Sequence, residues 1–214
     1  MSSTLHIVLL GDSIFDNGAY VPGEPPVREQ LEQILPEGAS VTLLAVDGDT
    51  TVHVEGQLED MPSTATHVVL SCGGNDALNF LPEFTKTAGT IADAMFRFGE
   101  IRQVFRSRYH DMLRAIMAHG LPLYVCTIYD QVPNIGEAER AALAMFNEII
   151  LQEAQSSAAA IIDLRLICRE AGDYSSVSPI EPSVQGGQKI ASAIRSAILD
   201  DHLHARVPII GGPA

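Results

Sequence analysis

The chain reads as an α/β protein built on a parallel sheet, and two features of its patterning carry that reading. Apolar runs of strand length alternate with longer amphipathic stretches along the whole sequence. The runs are continuous instead of alternating in polarity, as strands covered by helices on both faces require. Strand–helix alternation from end to end predicts one domain with right-handed crossovers. That domain is expected over residues 1–206, with a C-terminal tail at 207–214.

The first strand is predicted at 5–11, where Leu5-His6-Ile7-Val8-Leu9-Leu10 runs into Gly11 and Asp12. A helix follows at 26–35, with Val27, Leu31, Ile34 and Leu35 at helical spacing. Strands at 41–46 and 67–71 each end in a glycine-containing turn. The next helix is predicted at 101–119, its apolar face formed by Ile101, Val104, Phe105, Met112, Leu113, Ile116 and Met117. A strand at 123–127, an Ala-rich helix at 137–155 and a strand at 161–164 come next. The last helix is predicted at 183–199, with Pro182 as a first-turn proline.

With 27 acidic and 13 basic side chains the formal net charge is −14. Apolar residues make up 46% and charged residues 19%, which supports a real core and excludes a disordered chain. Such acidity repels a phosphate backbone and an anionic membrane surface, so neither nucleic acid nor membrane is an expected partner. No uninterrupted apolar run reaches the roughly 18 residues that a spanning helix needs. Met1-Ser2-Ser3-Thr4 lacks a basic region and the apolar run after it is short for a secretory signal, so a cytoplasmic location is expected. Cys72, Cys126 and Cys168 are odd in number and widely spaced, and read as reduced, mostly buried thiols. No cofactor is expected, because Gly11-Asp12-Ser13 matches neither the dinucleotide nor the P-loop pattern. The residues carry no signal of oligomeric state.

Ligands of open α/β sheets bind beyond the carboxyl ends of the strands. Three successive strands end there in Gly11-Asp12-Ser13, Asp47-Gly48-Asp49-Thr50 and Gly73-Gly74-Asn75-Asp76. A serine at a tight strand exit presents its Oγ next to backbone N–H groups suited to an oxyanion. Gly48 permits close backbone approach, and Asn75 brings an amide donor. Each signal alone is an ordinary turn. Their joint occurrence is not.

In order and spacing these segments resemble the first three blocks of the SGNH (GDSL-type) hydrolases. The resemblance implies a flavodoxin-like three-layer α/β/α sandwich with five parallel strands, and an ester hydrolase acting on a small-molecule ester. It implies Ser13 as nucleophile, with the Ser13 N–H, Gly48 and Asn75 as the oxyanion hole, and Asp12 beside the substrate. The fourth block departs from the pattern. The family has Asp-x-x-His-Pro, whereas this chain has Ser178-Pro179-Ile180-Glu181-Pro182. Aligning the prolines puts Glu181 in place of the histidine and Ser178 in place of the aspartate.

A carboxylate with an ordinary pKa of about 4.3 is a weak base for serine unless burial raises it. A helix start at Pro182 would favour the charged form instead. Three readings stay open. Glu181 is the base; or a histidine from elsewhere is, His53 after the 47–51 loop being best placed; or the scaffold has lost hydrolysis and binds an acyl or glycosyl ligand. His202 and His204 fall at the far end of the last helix. Asp12, Asp47, Asp49, Asp76 and Glu181 could form an oxygen-rich cation site, but ordinary turn roles explain them better and no metal is expected. Arg97, Arg102, Arg106, Arg108 and Arg114 read as a solvated helix face. Arg165, after Asp163, either anchors a loop or meets substrate.

Overall fold

The computed structural model describes residues 4–199. Its centre is a five-stranded parallel sheet of β1 (His6–Gly11), β2 (Ser40–Leu43), β3 (His67–Ser71), β4 (Leu123–Cys126) and β5 (Ala160–Ile162). The spatial order is β2-β1-β3-β4-β5. The helices are α1 (Val27–Ile34), α2 (Val54–Gln57), α3 (Gly74–Leu78), α4 (Ile91–Met117), α5 (Glu137–Ser156), α6 (Leu164–Ile167) and α7 (Val184–Leu199).

Strand residues alternate between two cores. Ile7, Leu9 and Val69 pack under α1 and α7, while Val8, Leu10, Val68 and Leu70 pack under α4 and α5. Because both sets are buried, the strands read as unbroken apolar runs. This is the three-layer α/β/α sandwich, with the flavodoxin-type strand order. The chain leaves β1 toward β2 on one side and β3 on the other, so a crevice opens beyond Gly11 and Ser71, which are paired in register. Gly11 is required there: its φ is +120°, and a Cβ would lie 1.8 Å from the Ser71 carbonyl oxygen.

Several predicted boundaries move, each for a local reason. The second strand ends at Leu43, not Val46, because Leu44 and Ala45 both donate to the Leu9 carbonyl and break the ladder in a bulge-like step. The fifth strand ends at Ile162, because the Asp163 carboxylate accepts from the Arg165 N–H and caps α6. α4 begins ten residues ahead of the predicted start, at a capping box made by Thr90 and Asp93. Val104 and Met117, expected on its buried face, are exposed. Pro182 lies ahead of the last helix and is not in its first turn: the Ser183 hydroxyl accepts from the Gly186 N–H at 3.1 Å and caps α7. The short helices α2, α3 and α6 are too brief to carry an apolar periodicity of their own. His202, His204 and the tail at 207–214 lie outside the described residues.

Candidate active site

Ser13 is the second residue after β1 and lies buried at the crevice. The Asp12 N–H donates to the Ser71 carbonyl at 3.1 Å, locking the strand exit to β3. The Asp12 carboxylate accepts from the Ile14 N–H at 3.1 Å, and the Phe15 and Asp16 N–H groups turn back onto the Asp12 carbonyl. Among the described residues the Ser13 N–H has no hydrogen-bond acceptor.

Glu181 reaches the same place from the other end of the chain. It is 5% exposed and lines one cavity with Asp12, Ser13 and Asn75. Burial pushes its carboxyl up to about 7; hydrogen bonding with Ser13 pulls it down and the Asp47 charge adds to the rise. Among the described residues its Oε2 has no hydrogen-bond partner. The expected counter-effect of the helix start is small in this geometry, because α7 begins three residues later and is capped by Ser183. Asp12 is displaced further, to about 8, chiefly by burial and then by Glu181 and Asp76, against the Ile14 hydrogen bond.

The turn that carries Glu181 is held on three sides. Its N–H donates to the Ser178 carbonyl at 3.0 Å, and its carbonyl accepts from the Ser175 N–H at 2.8 Å. The Tyr129 hydroxyl donates to the Ile180 carbonyl, and the Asn17 amide donates to the Pro182 carbonyl at 3.3 Å. Ser178 therefore serves the turn through its backbone, and its side chain is not part of the cavity wall.

Asn75 sits at the start of α3, where Gly73 takes φ +123°. One of its amide hydrogens goes to the Asp49 carbonyl at 2.9 Å, which leaves the second N–H of the group. Gly48 occupies a turn closed by the Asp49 N–H on the Val46 carbonyl, with φ +86°. Among the described residues its N–H also lacks an acceptor. Gln57 fastens this loop: its amide donates to the Gly11 carbonyl at 2.7 Å and to Asp49 at 2.8 Å, and its oxygen accepts from the Gly11 N–H.

His53 is not brought to Ser13. Its Nδ1 accepts from the Thr50 N–H at 3.0 Å and lies 3.6 Å from Asp49, its side chain is 54% exposed, and it does not line the cavity. The other carboxylates are engaged separately. Asp76 accepts from the Thr51 N–H and hydroxyl, and Asp47 from the Tyr20 hydroxyl. Among the described residues no three His, Cys, Asp or Glu side chains are placed to hold a metal ion. Arg165 grips Asp163 through two hydrogen bonds at 2.7 and 2.6 Å, which makes it a loop anchor. Arg102 and Arg106 pair with Glu148 and Glu153 across the α4–α5 interface. All three cysteines are free and buried.

Gln57, Asn17 and Tyr129 escaped the sequence reading. Each works through a partner 46, 165 or 51 residues away, and no local pattern marks such a contact.

The fold recurs in solved structures. An extracellular lipase of Streptomyces rimosus is 19% identical, with a TM-score of 0.68 over 91% of this chain and 100% of that one. A lipase from a goat rumen metagenome is 22% identical, with a TM-score of 0.71 over 91% and 98%. An acetyl xylan esterase of Geobacillus stearothermophilus is 16% identical, with a TM-score of 0.63 over 91% and 94%. None of the curated proteins matches the chain in sequence. Among the described residues no helix is long and apolar enough to cross a membrane. The family model of the GDSL-like lipases and acylhydrolases matches residues 9–189, a span that runs from β1 through the Glu181 turn into α7, and by that match the chain belongs to the GDSL-like lipase/acylhydrolase family.

Proposed function

We propose that the chain is a serine ester hydrolase in which Ser13 is the nucleophile and Glu181 the general base. The observation that carries this is the buried Glu181 carboxyl beside Ser13, with its pKa raised to about 7. A base titrating near the working pH combines availability with driving force, which an ordinary glutamate lacks.

The steps balance without a histidine. The Glu181 carboxylate takes the Ser13 hydroxyl proton as Oγ attacks the ester carbonyl carbon. The carbonyl electron pair moves onto oxygen, where the Ser13 N–H, the Gly48 N–H and the free N–H of Asn75 receive it. Collapse of this adduct breaks the ester C–O bond, and the departing alkoxide takes the proton from Glu181. Water then attacks the acyl-serine with Glu181 again as base, releasing the acid and restoring the Ser13 hydroxyl.

A fluorophosphonate probe at several pH values tests this, with Ser13→Ala as control. Labelling at Ser13 that rises through pH 6–8 and is lost in Glu181→Gln but kept in His53→Ala supports the dyad. Loss with His53→Ala alone overturns Glu181 as base. No labelling above the control overturns the hydrolase reading and leaves a ligand-binding protein on the same scaffold.

A further inference from the structure

We propose that the cavity beside Ser13 is an acyl-chain pocket, and that the preferred substrate is an ester of an unbranched aliphatic acid well longer than acetate. This rests on the ester-hydrolase reading above and adds the substrate class. The cavity holds about 350 Å³. That lies within the roughly 300–1,000 Å³ of small-molecule sites and has room for on the order of ten water-sized groups. An acetyl methyl would leave most of it empty.

The walls match a hydrocarbon. Asp12, Ser13, Asn75 and Glu181 form the end beside the nucleophile, and Asn134 and Glu139 add polar side chains elsewhere on the wall. Away from that end the surface is built from Phe80, Phe84, Phe98, Ile128, Leu143 and Phe146. Phe84 and Phe98 meet edge to face at 5.5 Å, and Phe80 and Phe146 lie 6.0 Å apart, so the wall is a packed aromatic surface. The Thr127 hydroxyl on the floor is already committed to Asp163 at 2.8 Å. A sugar laid on this aromatic wall would lose water hydrogen bonds without replacement there, whereas methylene groups gain from the same burial.

The apolar surface also continues outward. Met95 and Ile91 lie one and two turns before Phe98 on the same side of α4, and they are 62% and 84% exposed. A chain longer than the pocket thus meets further apolar surface at the mouth. The pocket is assigned to the acyl portion because that portion stays tethered to Ser13 through both chemical steps. The alcohol, by contrast, must leave.

Three measurements on the full chain test the proposal. Along p-nitrophenyl esters from acetate to dodecanoate, kcat/KM is expected to rise about fourfold per methylene until the pocket is full. Ala142→Phe, which fills the pocket from α5, is expected to cut the decanoate-to-acetate ratio roughly tenfold, the worth of about two buried methylenes. Leu78→Asp, at the exposed mouth, shifts the ratio the same way without a core change. A flat or falling series overturns the proposal. So does a series of alkyl acetates in which chain length matters when the p-nitrophenyl series shows none, since the pocket would then hold the alcohol. In the third, 1-decanol is titrated calorimetrically into Ser13→Ala, and it should bind far more tightly than 1-butanol. Absence of that difference overturns the pocket whatever the chemistry. If 1-decanol binds but no ester is turned over, the pocket stands and the hydrolase reading falls.

Discussion

Replacing Asn75 by Ala removes the side-chain donor while Ser13 and Glu181 stay in place. Under the proposed mechanism turnover is expected to fall by about 10²–10³-fold with little change in KM, the loss that removing an oxyanion donor brings. An equal rise in KM alone would show that Asn75 only binds substrate. In the proposed dyad the Glu181 carboxyl sets the pH profile. As base it must be ionised, so kcat should climb roughly tenfold per pH unit below about 7 and level off above it. In Glu181→Gln that limb should disappear along with the rate; a limb that survives belongs to another group, with Asp12 at about 8 the first to examine. The sequence revealed where these groups stand but not how they titrate. Ser13 and Asn75 sit in short motifs at strand ends, and the flanking prolines located Glu181. Its displacement is a tertiary property, because it depends on burial in the folded chain and on groups far along the sequence, Ser13, which lowers it, 168 positions away and Asp47, which raises it.

At the scale of elements, two close approaches hold the site together. Gly186 in the first turn of α7 would place a Cβ 2.1 Å from the Asp173 carbonyl oxygen. Gly186→Ala must therefore move α7 away from the segment that precedes the Glu181 turn. Overpacking of this kind costs about 1–3 kcal/mol, visible as a lower denaturation midpoint, and fluorophosphonate labelling should fall with it. Wild-type stability in that variant would mean α7 slides freely. The Tyr129 hydroxyl is the milder case. Tyr129→Phe frees the Ile180 carbonyl at a cost of roughly 0.5–1.5 kcal/mol and should slow labelling without abolishing it. Elements with a buried face were legible in advance, because β1, β3, α5 and α7 carry their periodicity in apolar residues. The first ten residues of α4 were not, since Ile91, Met95 and Phe96 face solvent and give no core pattern. Helices as short as α2, α3 and α6 exist through contacts such as Gln57 on Gly11, which only the assembled sheet supplies.

Over the whole molecule, the carboxyls in the cavity beside Ser13 oppose those paired with Arg165 and Lys189. Glu181 and Asp12 titrate at about 7 and about 8 in the folded chain, above their ordinary values. Between the ordinary and the raised values the folded state binds more protons than the unfolded one. Stability must therefore fall as pH rises from about 4 to 8. Asp163 and Asp173 have the opposite sign. Burial pushes both up, but hydrogen bonds outweigh it, from Arg165 and Thr127 for Asp163 and chiefly from Lys189 for Asp173, and both end below the ordinary value. Their contribution is present above the ordinary value and is lost as pH falls through the lowered one. The net charge of −14 adds self-repulsion that weakens toward acid. Together these predict a stability maximum on the acid side of neutrality, near pH 5, and a decline through the range where Glu181 ionises. Denaturant midpoints from pH 4 to 9 should trace that decline, and Glu181→Gln should flatten its portion near pH 7 while raising stability at pH 8. If Glu181→Gln is no more stable than the wild type at pH 8, the buried carboxyl carries no folding penalty there, and the raised pKa on which the dyad depends falls with it.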